Sequence, residues 1–238
     1  MKIVVLLRAV HRDPGSEELV AGLGPCERAA LRTAIDLAGA DEGSAVVALC
    51  AGPPPDEAVL QTALRAGARR AIRFFDAAVD QRDLLALSTA LAAAVQQLGF
   101  DLVLAGHRSA DWGTGAVGAT VAHLLGVPHV SNVVALHREG SALALEQLRE
   151  DELLSLSLDL PAVAAIWAAP SRAFDERAEV APVETWTLAD VKLGLNLELA
   201  QRTPHDLQLQ PAPARPVVLH TSASALLLQL RNQGLLGS

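Results

Sequence analysis

The residues best suited to chemistry lie in one run, Gly106-His107-Arg108-Ser109-Ala110-Asp111-Trp112-Gly113-Thr114-Gly115-Ala116-Val117-Gly118. An apolar strand pattern, Leu102 to Ala105, leads into it, and an apolar-periodic helix pattern, Ala119 to Leu125, leads out. A strand, a glycine-rich turn and a helix start put backbone N–H groups and the positive end of a helix dipole at the carboxyl edge of a sheet, where open α/β sheets take ligands. The chemistry this predicts is anion binding. The glycines depart from G-x-G-x-x-G, and the chain has no Walker lysine, so on spacing alone a turn that merely joins strand to helix remains the alternative. Arg108 is a better phosphate partner than His107, because its guanidinium stays charged.

Other chemistries find little support. Cys26 and Cys50 are the only cysteines; they stand among Ala and Leu and read as buried thiols rather than a disulfide or metal framework. The remaining histidines are scattered without metal spacing, and no Ser/His/Asp or Cys/His constellation follows from chain order. Lys2 and Lys192 are the only lysines, net charge is −8, aromatics are 3% and Tyr is absent. A nucleic-acid partner needs a basic stripe or a stacking platform, and this chain predicts neither. Mean hydropathy is high, at +0.30, yet no apolar run approaches the roughly 20 residues of a spanning helix. The opening Met1 to Arg8 reads as a strand rather than a signal peptide, so the expected location is the cytoplasm.

The elements that must position the loop follow from periodicity. Ile3–Leu7, Ala45–Cys50, Ala71–Phe75 and Leu102–Ala105 are short apolar runs typical of strands buried on both faces. Helix patterns alternate with them: Pro25 through Ala38, Asp56 (as cap) toward Ala66 with Gly67 as stop, and Asp83–Leu98. Val130–Leu136, Ala142–Leu148 and Glu152–Leu158 read as consecutive strands on short turns, and Pro161–Trp167 as one more buried strand. The fold expected is α/β: an open, mostly parallel twisted sheet of Rossmann-like type with helices on both faces, added antiparallel strands and an extended C-terminal arm. The expected division is a domain over 1–188 and, over 189–238, a proline-punctuated arm with a closing helix near Ser222–Gln233. Such an arm needs a surface to lie on, and a second subunit would supply one.

Taken together, these motifs resemble the β subunit of electron transfer flavoproteins. The resemblance rests on the opening strand, Gly24-Pro25-Cys26-Glu27, Leu49-Cys50-Ala51-Gly52-Pro53, Thr62 to Ala68, Leu160-Pro161-Ala162-Val163, the closing helix and, most specifically, the ungapped stretch Gly106 to Pro128 with Asp111, Thr114, Val117 and Gly118. It implies an electron-carrier subunit rather than an enzyme. An α subunit would carry most of the FAD, forming a heterodimer that moves electrons from dehydrogenases to a respiratory or other acceptor. It further implies an adenine nucleotide in this chain, AMP in ordinary carriers and a second FAD in bifurcating ones that use NADH. The residues implied to hold it are Leu6, Cys26, Cys50, Gly106, Arg108, Ser109, Asp111, Gly113, Thr114, Gly115, Ala116 and Val117, with Asp111 shaping the loop or meeting the ribose. A stand-alone ATP- or AMP-binding module of universal-stress type is the reading from another class; the antiparallel strands and the arm count against it.

The chain also departs from the family pattern. Asn-Gln-Thr of AMP-binding members is here Gly115, Ala116 and Val117, leaving only backbone donors. Trp112 stands where relatives carry Asp or Gly, either to stack on a ring or to cover the loop. The flavin-facing Tyr has no counterpart, Asp13 standing near its place. The segment implied to dock a flavin dehydrogenase, Arg172 to Thr187, is short and lysine-free, with Val180 or Val183 as its apolar anchor, so the expected dehydrogenase differs from the family's usual ones.

Overall fold

A computed structural model describes residues 1–11, 21–79, 81, 83–140, 142–168, 174, 181–191 and 222–232. The chain divides into a large unit, Met1–Pro204, and a small one, His205–Ser238. In the large unit a nine-stranded sheet is built from β1 (Lys2–Leu7), β4 (Ala45–Ala51), β5 (Arg70–Phe74), β6 (Leu102–Gly106), β7 (His129–Glu139), β8 (Ala142–Arg149), β9 (Glu152–Leu158), β10 (Ala162–Ile166) and β11 (Glu184–Trp186). Their order is β11-β5-β4-β1-β6-β10-β7-β8-β9. Every pairing from β11 to β7 is parallel, and β7-β8-β9 is antiparallel. The α/β architecture with an added antiparallel ribbon is thus the one the alternation of patterns predicts.

Residues Ile3 to Leu7 are all buried because each face of β1 is covered. Ile3, Val5 and Leu7 pack with α1 (Pro25–Gly39) and α2 (Glu57–Ala66), while Val4 and Leu6 pack with α3 (Leu84–Leu98) and α4 (Ala116–Leu125). Helices therefore cover both faces. The chain runs from β1 outward to β4 and β5, then returns past β1 to β6 on its other side. That reversal opens a crevice at the carboxyl ends of β1 and β6.

Several boundaries depart from expectation for identifiable reasons. A small hairpin of β2 (Ala9–His11) and β3 (Ala21–Leu23) is too short to leave a periodic signal. Asp56 stands at the start of α2 but does not cap it; its buried carboxylate meets His11 Nε2 at 2.9 Å instead. Asp83 does cap α3, accepting from the Leu85 and Ala86 amides at 2.8 and 3.0 Å. Helix α4 starts at Ala116, three residues before its periodic signal, because Gly115 supplies a left-handed turn. Within Arg172–Thr187, Glu184–Trp186 is not loop but strand β11 on the edge of β5, and Val183 is partly buried against the core. Bidentate Arg70–Glu184 contacts of 2.7 and 2.8 Å tie that strand down. Buried Arg73 adds to this by bridging Glu57, the Gly52 carbonyl and Thr185.

Helix α5 (Ala223–Asn232) is the described part of the small unit and matches the expected closing helix. Residues 192–221 of the expected arm, and Val180, lie outside the described residues. Among the described residues, no helix is long and apolar enough to cross a membrane.

Helix α3 is nearly ringed by packing partners, with eleven of its fifteen residues buried. The short turn Leu188–Asp190 and Val191 help to cover it. Small side chains make this possible, since Ala90, Ala92, Ala93 and Ala94 are all fully buried. Ala94→Leu should therefore overpack the helix and lower unfolding stability by about 1–3 kcal/mol, read as an earlier midpoint in urea or heat.

Candidate functional site

At the reversal point lies a cavity of about 210 Å³. Leu6, Leu7, Ala105 and Gly106, the last residues of β1 and β6, form its floor. Leu84, Leu87 and Leu91 of α3 make an apolar wall, and Thr114 to Val117 bring the start of α4 to the cavity. Arg8, Glu27, Ala51, Gln81, Arg108, Ser109 and Trp112 complete the lining, and Trp112 is 55% exposed.

Two glycines set the shape. A Cβ at Gly106 would lie 3.0 Å from the Glu27 amide nitrogen and 3.1 Å from the Cys26 carbonyl carbon, so the end of β6 touches the backbone of α1 directly. Gly115 has φ +65°, and a Cβ there would come within 2.9 Å of the His107 carbonyl oxygen. Its left-handed turn starts α4 with no side-chain cap. First-turn amides of a helix lack intrahelical acceptors, which favours an anion in front of them.

Asp111 holds the loop. Its carboxylate receives Arg8 Nε at 2.9 and 3.2 Å and Nη2 at 2.9 Å, and the Trp112 amide donates to it at 2.7 Å. Burial opposes its ionisation, but Arg8 and the donors from Ser109 and Trp112 outweigh this and keep its pKa below the usual carboxylate range. Arg8 also lies 5.9 Å from the Trp112 ring centre. Arg108 stacks over Trp167 at 4.9 Å, which steadies its guanidinium at the cavity. Burial, aided by the Arg108 charge, pushes the His107 pKa down, leaving Arg108 as the cation of that pair.

Of the residues singled out from sequence, the fold brings Leu6, Gly106, Arg108, Ser109, Thr114, Gly115, Ala116 and Val117 to one cavity. Gly113 and Asp111 stand behind it in the loop, where the Gly113 amide lies 3.4 Å from Ser109 Oγ. Cys26 and Cys50 do not line it. Cys26 is packed against Gly106. Cys50 is fully buried with Leu7 on the α1–α2 face, and burial together with the Asp56 charge pushes its thiol up to about 12.

The periodic reading passes over Arg8, the α3 leucines and Glu27. Arg8 immediately follows β1, and a charged residue at the carboxyl end of a central strand is the signal that would have marked it. Glu27 lies in the first turn of α1, where an acidic residue is ordinary helix chemistry. Here it is 4% exposed and borders the cavity. Its Oε2 is buried with no hydrogen-bond partner. Burial, reinforced by the Asp111 charge and only partly offset by its own amide and Arg8, pushes its pKa up to about 7.

A family model described as the electron transfer flavoprotein domain matches residues 17–191. The chain is also similar to the electron transfer flavoprotein subunit beta of Clostridium acetobutylicum, 33% identical over 162 residues. That match covers 63% of this chain and 62% of the relative, so the chain spans under two thirds of the relative's length.

Gly115→Ala should destabilise the fold by about 1–2 kcal/mol, because an L side chain resists the left-handed region, and the His107 contact adds to the loss. Urea unfolding checks this. The raised Glu27 pKa sets a second expectation. The folded state holds this proton more tightly than the unfolded chain, so its contribution to stability is fullest below about 4.5 and is lost as pH rises through about 7. Wild type should lose on the order of 2–3 kcal/mol across that window through this group. Glu27→Gln, neutral throughout, should remove that part of the pH dependence.

Proposed function

The chain belongs to the electron transfer flavoprotein domain family, and from that premise we propose that it is the β subunit of an electron-carrying heterodimer and binds AMP at the β1–β6 cavity. One observation carries the reading: the cavity joins an uncapped helix start, a fixed guanidinium and an apolar wall in a single space. Those are the three needs of a nucleotide. The amides from Gly115 onward, the Thr114 hydroxyl and Arg108 would take the phosphate. The leucines of α3 would cover the base, and Trp112 would close the mouth. Asp111 stays with Arg8 and shapes the loop, which favours that role over a ribose contact.

In this proposal the chain performs no bond-making step. FAD, held mainly by an α subunit, supplies the redox chemistry. The residues of this chain fix the nucleotide, complete the partner's cleft and offer docking surface. The 189–238 arm lies on the partner, and the Arg172–Thr187 segment meets a flavin dehydrogenase. Val180 or the partly buried Val183 would be the apolar anchor for that contact. Cytoplasmic location and the absence of a nucleic-acid or membrane partner belong to the same proposal.

Co-purification with an FAD-carrying subunit, acid release and chromatography test it. One AMP and one FAD per pair are expected. Two FAD would replace the AMP reading with a bifurcating subunit that uses NADH. Tight ATP binding by the isolated chain would favour a stand-alone sensor module, and a stable nucleotide-free monomer indifferent to any flavoprotein partner would overturn the proposal.

A further inference from the structure

The wall of the cavity holds a carboxyl group with one oxygen unpartnered. Glu27 sits where α1 meets the end of β6, held there by the Gly106 contact with its own amide nitrogen. Its side chain folds back over Gly24, at which a Cβ would lie 2.4 Å from Oε2. That glycine leaves room for the carboxyl and contributes no hydrogen bond to Oε2. The charged groups facing it are Asp111 and Arg8. Arg8 is already committed to the Asp111 carboxylate through three contacts of 2.9 to 3.2 Å, and the Asp111 anion disfavours a second negative charge nearby.

A buried carboxyl oxygen left without a hydrogen bond is costly, so it calls for a partner. Asp56, the other buried acid in this region, has His11 Nε2 at 2.9 Å from its Oδ1, although that oxygen receives no aligned hydrogen bond. Glu27 has no such neighbour, yet it borders a space large enough for a ligand. The terminal torsion of Glu is broad, so the carboxyl is free to reorient at the cavity that it borders.

We propose that Glu27 is a specificity-determining residue of the nucleotide site, its carboxyl pairing with a hydrogen-bond donor of the bound nucleotide, either the exocyclic amine of the base or the ribose 2′-hydroxyl. This rests on the nucleotide reading above and adds a discriminating contact to it. The loop residues Gly115 to Val117 can grip a phosphate but carry no side-chain group that reads a base or a sugar. Glu27 supplies that group from the other side of the sheet edge. A site built to meet a donor rejects the analogue lacking it, because the protein group is then left unpaired.

Equilibrium binding of AMP, IMP and 2′-deoxy-AMP to the full chain stripped of nucleotide tests the assignment. IMP lacks the base amine and 2′-deoxy-AMP lacks the ribose 2′-hydroxyl. Wild type should prefer AMP over one of the two by about tenfold or more, and the analogue it rejects identifies the donor. Glu27→Leu, similar in shape and apolar, should bring that preference close to one. Glu27→Gln, which rearranges donors and acceptors on the same skeleton, should change it by at least about threefold, and this variant carries the measurement should the leucine protein fold poorly. Unchanged preference ratios in the variants, or no preference in wild type, overturn the role of Glu27 while leaving the site standing. Failure of wild type to bind any of the three nucleotides overturns the nucleotide reading, and the role of Glu27 with it.

Discussion

The site depends on one close approach. Because residue 106 has no side chain, the first turn of α1 rests on the last residue of β6, with the Glu27 amide nitrogen 3.0 Å from where a Cβ would be. Any larger residue would push the helix away from the strand end and open the floor of the cavity. The contact does two things at once. It closes the crevice on the α1 face of the sheet, and it brings a carboxyl group to a wall that would otherwise be backbone and leucine.

The opposite side is organised by a single ion pair. The chain between β6 and α4 runs from His107 to Gly115 and contains no regular structure. Ordering such a loop costs conformational entropy at each of its residues. Asp111 gathers it by accepting from Arg8 at the end of β1 and from the next amide. A charged pair at a partly exposed position is worth little to global stability. Its effect is geometric, since it ties the loop to the strand beside which the cavity forms and commits Arg8, but not Arg108, to Asp111.

How much of this is legible in the sequence follows from what leaves a periodic trace. Strands such as Ile3–Leu7 and Leu102–Ala105, buried on both faces, appear as unbroken apolar runs, and the loop between β6 and α4 announces itself by its glycines. The carboxyl-edge position of that loop is legible for the same reason. Features made by tertiary contact are not. Nothing local separates Glu27 from an ordinary first-turn acid; its burial comes from β6 and the loop, far along the chain at Gly106 and beyond. Asp56 looks like a cap, but a short hairpin brings His11 to it and takes its carboxylate elsewhere. Family resemblance singles out Cys50 at the end of its strand, and the strand pleat turns its thiol to the α1–α2 face of the sheet, a direction that the resemblance does not give.

The same pleat logic explains the composition. A sheet buried on both sides needs apolar residues at every position of its central strands rather than at alternate ones. Helix α3 adds a stretch so closely surrounded that alanine is the residue that fits. High mean hydropathy in this chain is therefore largely the signature of double-sided burial. The antiparallel ribbon breaks the pattern: Leu153 is 60% exposed on β9, and Leu156 is also exposed. Leucine on an otherwise solvated edge strand gains nothing from the core of its own chain. Apolar surface beyond the needs of the core is therefore shared between the ribbon and the lining of the cavity, where Leu84 and Trp112 are also exposed.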